Sequence, residues 1–572
     1  ILGTGENEVR ALRHELFIRP KYHAVDTCAA EFEAFTPYLY SSYANWNNSS
    51  TELEVEPAPA RQDKTVIILG GGPNRIGQGI EFDYCCVHGS LALQDSGHRV
   101  VMVNCNPETV STDFDISNRL YFEPLTVEHV LEIAHIEKPK GAIVQFGGQT
   151  PLKLAAAIEA GGLPILGTSV DAIDMAEDRK RCEAIAKNYG IKTPANGTAH
   201  TLEEAVAIGK QIGLPVLVRP SYVLGGRAMN VVYREEGLRN FASQAFDASE
   251  GQAIFIDRFL NEAIEIDIDV LCDGEDVVIG GVMEHIEKAG VHSGDAFCSI
   301  PPFSLSPQMT QRIRQAGREL AFAFHVRGLM NVQCAVLGNE IYLIEVNPRA
   351  SRTVPFVAKA IGVPLAKIAA QIMAGAKLKD FNLPHALDEN MTLFHVKGPV
   401  FPFSRFDRTD TILGPEMRST GEVMGRAPSF GGAFAKALAA TNVKIPRSGR
   451  VFLSVRNEDK ESLLPIAREL RTLGFTFSAT QGTYNLLREH HIDSELVKKL
   501  QDGENNCVDM IRANRFSLVI NTTSDEKAVE DSFAIRRSAL EMHTPCLTTI
   551  SAAFALLRAL DSTNANLEVY PL

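Results

Sequence analysis

A chain of 572 residues is several times longer than one hydrophobic core sustains, and at about 150 residues per domain it divides into roughly four units. Its 45% hydrophobic and 22% charged content is that of a globular protein, and no apolar run reaches the ~18 residues of a membrane helix, which argues against membrane insertion. The net charge of −14, with no basic block, excludes the electrostatic footprint of a nucleic-acid binder, so any nucleotide bound is a small molecule.

The chain opens at Ile1 with neither an initiator Met nor the layout of a signal peptide, and reads as a piece of something longer. Residues 1–47 carry short helical patterns, and 47–64 turn polar and Pro-rich, which is linker chemistry ending near Lys64. Four apolar runs, at 65–69, 100–104, 142–146 and 164–167, then alternate with helical segments, which predicts a parallel sheet covered on both faces. From Asp171 the pattern predicts a helix through Gly190, a second helix opened by the capping box Thr201–Glu204, and several strands in hairpin succession to about residue 380. Residues 381–448 read only as a connection. After Arg450 strands and helices alternate again, predicting a compact βαβ domain. The expected class is therefore α/β and α+β multidomain. Ten cysteines are scattered without a C-x-x-C pair, and Cys85 and Cys86 are adjacent, so they read as reduced thiols of an intracellular chain rather than as a disulfide or zinc framework.

Several segments carry chemistry. The cluster Gly70 to Gly79 follows a strand, where glycine frees backbone N–H groups for an anion, but it matches neither the dinucleotide fingerprint nor the P-loop; a tight turn explains it equally. Arg219 to Arg227, with Gly225 and Gly226, lies between two extended runs and reads either as a flap over phosphates or as a flexible hairpin. The hairpin 331–347 is more informative. Alternation puts Glu345 and Asn347 on one face and Ile344 and Val346 on the other, and pairing across the turn at Gly338-Asn339 brings Gln333 alongside. One carboxylate and two amides form a hard-oxygen set suited to Mg²⁺, and the cations Arg349 and Arg352 immediately after it suit a triphosphate. Glu265, Asp267 and Asp269, alternating with isoleucines, fit the same site, or are merely a half-buried strand with an acidic outer face. Gly290 to Asp295 has the composition of a ribose or base pocket, in which His292 reads as structural rather than as a base.

Together GGGPNRIGQGIEFDYCCVH, NCNPETVSTDFD, QFGGQTPLKLA, AEDR, RPSYVLGGRAM, GVHSGD and IEVNPRASRTVPF resemble the large subunit of carbamoyl phosphate synthetase, in its C-terminal half, over essentially the whole chain. The resemblance implies the end of a helical oligomerisation domain over 1–60, a Rossmann-like pre-ATP-grasp domain over 61–178, an ATP-grasp domain over 179–380, a connecting region over 381–448 and a methylglyoxal-synthase-like allosteric domain over 449–572. It implies a cytoplasmic ligase that phosphorylates carbamate for pyrimidine and arginine biosynthesis, using ATP and Mg²⁺ or Mn²⁺, with K⁺ as a further ion. By motif, Arg179, Arg219, Gly225, Gly226, Arg258, Leu260, Glu265, Gly290, Val291, His292, Ser293, Gln333 and Glu345 would bind ATP. Gln333, Glu345 and Asn347 would hold metal, and Arg349 and Arg352 would face carbamate and the transferred phosphoryl. Ser454, Lys460, Thr480, Thr483, Lys499, Asn521 and Thr523 would bind an effector, UMP or IMP. The implied partners are the N-terminal carboxyphosphate-forming half and a glutaminase small subunit, neither of which has a counterpart in this sequence. Glu287 and Asp295 match the acidic ornithine ligands of relatives, but Gly398 stands where a third is acidic, so ornithine is expected to be without effect. The rival readings are another ATP-grasp ligase and a non-catalytic nucleotide-binding module; the intact Gln333, Glu345, Asn347 and Arg352 favour the enzyme.

Overall fold

The computed structural model describes residues 5–25, 31, 38–43, 64–73, 79–220, 229–249, 252–406, 409–523 and 526–562. The expected glycine flap, Gly225 and Gly226 included, residues 74–78 of the first glycine cluster and most of the linker lie outside them.

The β-branched runs 65–69 and 99–103 are buried on both faces, as strands of a parallel sheet must be. Thr65–Leu69, Arg99–Val103, Arg119–Tyr121 and Gly141–Ile143 run parallel, and Ile165 of the fourth expected run adds only an isolated bridge to Ala142. Ahead of them, Lys21–Val25 and Tyr38–Ser42 form an antiparallel hairpin whose second strand pairs parallel with Leu120 and Tyr121. The strands Lys21–Val25 and Tyr38–Ser42 thus extend the six-stranded sheet, and Tyr22 and Leu39 bury their side chains in its core. The helix Glu6–Glu15 is tied to this domain by Arg10 and His14, at 2.7 and 2.6 Å from Glu132.

The expected single helix after Asp171 is two, Val170–Glu177 and Arg179–Asn188, because Asp178 leaves the helical conformation and caps the second through Arg181 N–H. Four antiparallel strands, in the order Asn196–Ala199, Ile254–Arg258, Val216–Pro220 and Asn230–Val232, carry the helices Leu202–Ile212 and Glu235–Ala248. A seven-stranded antiparallel sheet follows, in the order Glu340–Asn347, Gly328–Leu337, Ile264–Cys272, Val277–His285, Cys298–Ile300, Phe394–Val400 and Gly421–Ala427. Its last two strands come from 381–448, which is therefore part of the sheet and not merely a connector. Its helix Phe430–Ala440 buries Phe430, Phe434 and Leu438 in one core with Val451, Leu463 and Leu556 of the C-terminal domain. That domain is a five-stranded parallel sheet, in the order Ser494–Leu496, Phe475–Ala479, Gly449–Ser454, Leu518–Asn521 and Cys546–Leu547. At the other end the helix Glu81–Asp95 shares a core with Leu365–Ala374, so the first domain and the long sheet are joined by apolar packing. Among the described residues no single helix is long and apolar enough to cross a membrane, and no described cysteine is in a disulfide.

Candidate active site and effector cleft

The hairpin pairs Gln333 with Glu345 and Asn331 with Asn347, so the expected neighbours meet. The alternation does not run through, however. A bulge between Gln333 and Cys334 lets Leu343 and Val346 both face the core, which turns Ile344 outward with Glu345. Ile344 thus leaves the buried face it was expected to share with Val346, and lines a pocket with Glu265, Ile266, His285, Gln333 and Cys334. Asn347 Nδ2 donates to Glu345 Oε1 at 2.6 Å, and Arg349 Nη2 donates to Asn347 Oδ1 at 2.8 Å.

The loop that follows is fixed from the first domain. Gln145, in the QFGGQ motif, donates Nε2 to Pro348 O at 2.9 Å, and its carbonyl accepts Ala350 N–H at 3.0 Å. The Arg349 guanidinium lies 5.5 Å over the Phe82 ring. Burial lowers both arginines; Arg352 falls only to about 10, with Glu81 acting in the opposite direction, and so stays cationic at neutral pH. Glu177, in the AEDR motif at the end of its helix, is pushed up by burial and feels the charges of Arg349 and Glu345; it was not among the expected site residues.

A second wall comes from the four-stranded sheet. Arg179 and Arg219 both pair with Asp257, Arg219 at 3.0 Å, and each lies 5.3 Å from the Phe255 ring. Arg179 also pairs with Glu183, at 3.2 Å, so two guanidinium groups are matched here by two carboxylates. Arg258 donates Nη1 to Leu214 O at 2.6 Å. Leu260 packs with the buried cluster of Phe259, Ala263, Ala289 and Ala335. Glu265 Oε1 accepts Gly290 N–H at 2.8 Å, and Gly290 has φ +89° with Phe259 so close that a Cβ would meet it at 2.6 Å. Val291 is buried. Burial, Arg352 and Lys397 push His292 down to about 3, so its imidazole is neutral at neutral pH. Ser293 O accepts Lys397 Nζ at 2.9 Å.

Asp267 and Asp269 overturn the acidic outer face: they are 1% and 2% exposed. The strand Ile264–Cys272 lies between two partners and beneath the arginine loop, so its polar side is enclosed rather than wet. Asp267 Oδ2 lies 2.8 Å from His285 Nε2, and His285 Nδ1 lies 3.5 Å from Glu265 Oε2. His285 is raised well above its ordinary range by Cys298 and these two carboxylates, against the effect of burial. Sequence reading missed His285, since nothing local marks it and only strand pairing brings it here.

In the C-terminal domain one cleft is lined by all seven expected effector residues, Ser454, Lys460, Thr480, Thr483, Lys499, Asn521 and Thr523, together with Arg456, Asp531 and Ser532. They gather because the cleft opens at the carboxyl ends of parallel strands, where loops from separate strands converge. Val455 N–H donates to Thr483 Oγ1 at 3.2 Å and Thr480 Oγ1 donates to Ser454 Oγ at 3.2 Å, which fixes the mouth of the helix Gln481–Glu489.

Comparison with known proteins agrees with this division. Residues 62–175 match the carbamoyl phosphate synthase preATP-grasp domain, 178–381 the carbamoyl-phosphate synthase L chain ATP binding domain, and 462–548 the MGS-like domain. The carbamoyl phosphate synthase large chain of Vibrio parahaemolyticus is 53% identical over 97% of this chain and 50% of its own length. That of Pasteurella multocida is 53% identical over 100% of this chain and 52% of its own length. The chain spans about half the length of the curated relatives it matches. Among solved structures, the biotin carboxylase domain of Hydrogenobacter thermophilus 2-oxoglutarate carboxylase aligns with a TM-score of 0.52 at 18% identity, covering 66% of this chain and 89% of that one. The purK N5-carboxyaminoimidazole ribonucleotide synthetase aligns with a TM-score of 0.51 at 12% identity, covering 67% and 98%; both likenesses concern the fold alone. With its first sheet, its ATP-binding domain and its C-terminal domain each matched in order, and half-identical relatives along its whole length, the chain belongs to the carbamoyl phosphate synthase large-chain family.

Proposed function

We propose that this chain binds ATP with Mg²⁺ between the two sheets and transfers the γ-phosphoryl group to carbamate, releasing ADP and carbamoyl phosphate. The observation that carries the reading is the succession of a hard-oxygen set, Gln333, Glu345 and Asn347, and two half-buried arginines, Arg349 and Arg352, on one hairpin and its following loop. The donor set fits the ion. Among the described residues no three His, Cys, Asp or Glu side chains gather into a cage, and Mg²⁺ needs none when phosphate oxygens and water complete its shell. When bound, Mg²⁺ would neutralise phosphate charge there, and the solved Hydrogenobacter relative is a complex with MgADP. Mn²⁺ in the same seat and K⁺ nearby extend this proposal.

Within this reading Arg179 and Arg219 hold the phosphate chain, and Glu265 and Gly290 to Ser293 form the ribose side. Arg258 and Leu260 shape the wall from behind; the expected flap glycines Gly225 and Gly226 lie outside the described residues. A carbamate oxygen attacks the γ-phosphorus as the bond to the ADP oxygen breaks. The nucleophile is already an anion, so no proton has to be removed, and a neutral His292 is no obstacle. Catalysis then rests on alignment and on charge placed in advance by Arg349 and Arg352. Carbamate would come from an N-terminal carboxyphosphate-forming half fed by a glutaminase subunit, in the cytoplasm. The C-terminal cleft would take UMP or IMP as an effector, with Lys460 and Lys499 facing the phosphate.

The test is ATP formation from ADP and carbamoyl phosphate with Mg²⁺, a partial reaction that this chain should catalyse alone. Saturable ATP formation is expected; none above background from folded protein would sink the reading.

A further inference from the structure

Thr353 occupies the N-cap of the helix Val354–Ile361, where a threonine hydroxyl ordinarily accepts from the first free N–H groups, yet its side chain makes no capping bond. Its Oγ1 donates instead to Asp269 Oδ2, at 2.6 Å. On the other side of Arg352, Ser351 Oγ donates to Asp269 Oδ1 at 2.8 Å. Asn331 Nδ2 adds a donor to Oδ1 at 3.0 Å and reaches Asp267 Oδ1 at 3.2 Å. Asp269, Ser351 and Thr353 are 2%, 6% and 2% exposed. A buried carboxylate is costly unless several donors satisfy it, and an apolar residue would fill this space at less cost. Here two of the three donors are drawn from the residues that flank one arginine, and one of those two makes no helix-capping bond.

We propose that Asp269 is a positioning residue: by clamping the hydroxyls of Ser351 and Thr353 it fixes the loop from which Arg352 reaches the transferred phosphoryl group. The proposal rests on the phosphoryl-transfer reading above. The clamp does not end at the loop. Asn331 stands opposite Asn347 on the metal hairpin, and Asp267 continues through His285 to Glu265 and Gly290 N–H on the ribose side. One enclosed polar network therefore ties together the three elements that must be aligned for transfer. An arginine free to shift by about 1 Å loses roughly 10²-fold in rate while still permitting nucleotide binding, because the Arg179 and Arg219 wall lies elsewhere.

Thr353→Val keeps the shape and removes the hydroxyl, whereas Thr353→Ser keeps the hydroxyl and removes a methyl group. In ATP formation from ADP and carbamoyl phosphate, T353V is expected to lower kcat by about 10- to 10²-fold with KM for MgADP within about twofold, and T353S to stay within about threefold of the parent. If T353V does not fold, Ser351→Ala in the same assay decides, with the same split of kcat from KM expected. Parental kcat in the hydroxyl-free variant overturns the clamp. So does an equal loss in T353V and T353S, or a parallel change of kcat and KM, since those report packing. A parent chain that forms no ATP fails the phosphoryl-transfer reading itself, a result distinct from any of these.

Discussion

The arginine loop with its hairpin and the C-terminal cleft are both suited to an anion, but they are built in different ways. In the first, the polar groups are tied to one another behind the surface, through Asp269, Asn331, Asp267 and His285 and through Gln145 from another domain. In the second, two bonds of 3.2 Å link hydroxyls and backbone at the ends of parallel strands, and the charged members Lys460 and Lys499 stand on elements of their own. The difference follows from the work each would do. A site that stabilises charge as it moves gains from dipoles fixed beforehand, whereas a site that only binds needs complementary charge and can let the ligand draw long side chains into place.

That contrast breaks or sharpens under mutation. The largest effect is expected for Glu345→Ala, which removes the one carboxylate of the hard-oxygen set. ATP formation from carbamoyl phosphate should fall ~10²- to 10³-fold, and near-parental turnover would leave the hairpin a structural edge. In the cleft, Lys460→Ala should weaken UMP or IMP binding on the order of tenfold by calorimetry, the scale of one charge-assisted hydrogen bond, with effector-free turnover unchanged. A loss of basal turnover would erase the distinction drawn between the regions.

A smaller effect is expected where the two regions communicate. Arg536, 1% exposed on the helix Glu526–Glu541 that lines the cleft, forms a bidentate pair with Asp410, its Nε at 2.8 Å from Oδ1. The segment that carries Asp410 also supplies Arg418 and Ser419 N–H groups to Asp295, at 2.7 and 2.9 Å, and Gly414 O to His292 N–H, at 2.9 Å. Arg536→Lys keeps the charge and loses the fork, so effector affinity should persist while its influence on ADP affinity shrinks by a few-fold, out of a typical allosteric range of 5- to 150-fold. Paired titrations with and without nucleotide measure this, and undiminished coupling would place the communication elsewhere. The smallest expectation is no effect at all: ornithine should leave turnover unchanged. A Cβ at Gly398 would meet Phe297 at 2.7 Å, and Lys397, which donates to Ser293 O, already sets an ammonium beside Glu287 and Glu422, where an added ammonium ligand would compete with it. Saturable activation would reverse that expectation.

Much of the fold could be read from periodicity, because the two parallel sheets bury β-branched runs on both faces and separate them with helices of ordinary length. The pairing of Gln333 with Glu345 was readable for a related reason, since a tight turn at Gly338-Asn339 fixes local register. Residues 381–448 were not legible: the strands Phe394–Val400 and Gly421–Ala427 are partnered only by distant strands and by each other across a long loop, and local sequence carries no such information. Ile344 was misplaced because a bulge shifts the count by one, and a count of alternating residues does not reveal where the extra residue sits.

What the sequence determined by itself is therefore the set of elements and the chemistry they carry: strands by their period, the hard-oxygen hairpin by its spacing, the arginines by their place just beyond it. What only the tertiary structure decided is which polar groups are enclosed. Asp267 and Asp269 look identical to solvent-facing carboxylates along the chain, and they become a buried network because strands from far apart and the arginine loop close over them. Burial depends on neighbours distant in sequence, and it is burial that turns an ordinary carboxylate into a fixed anchor.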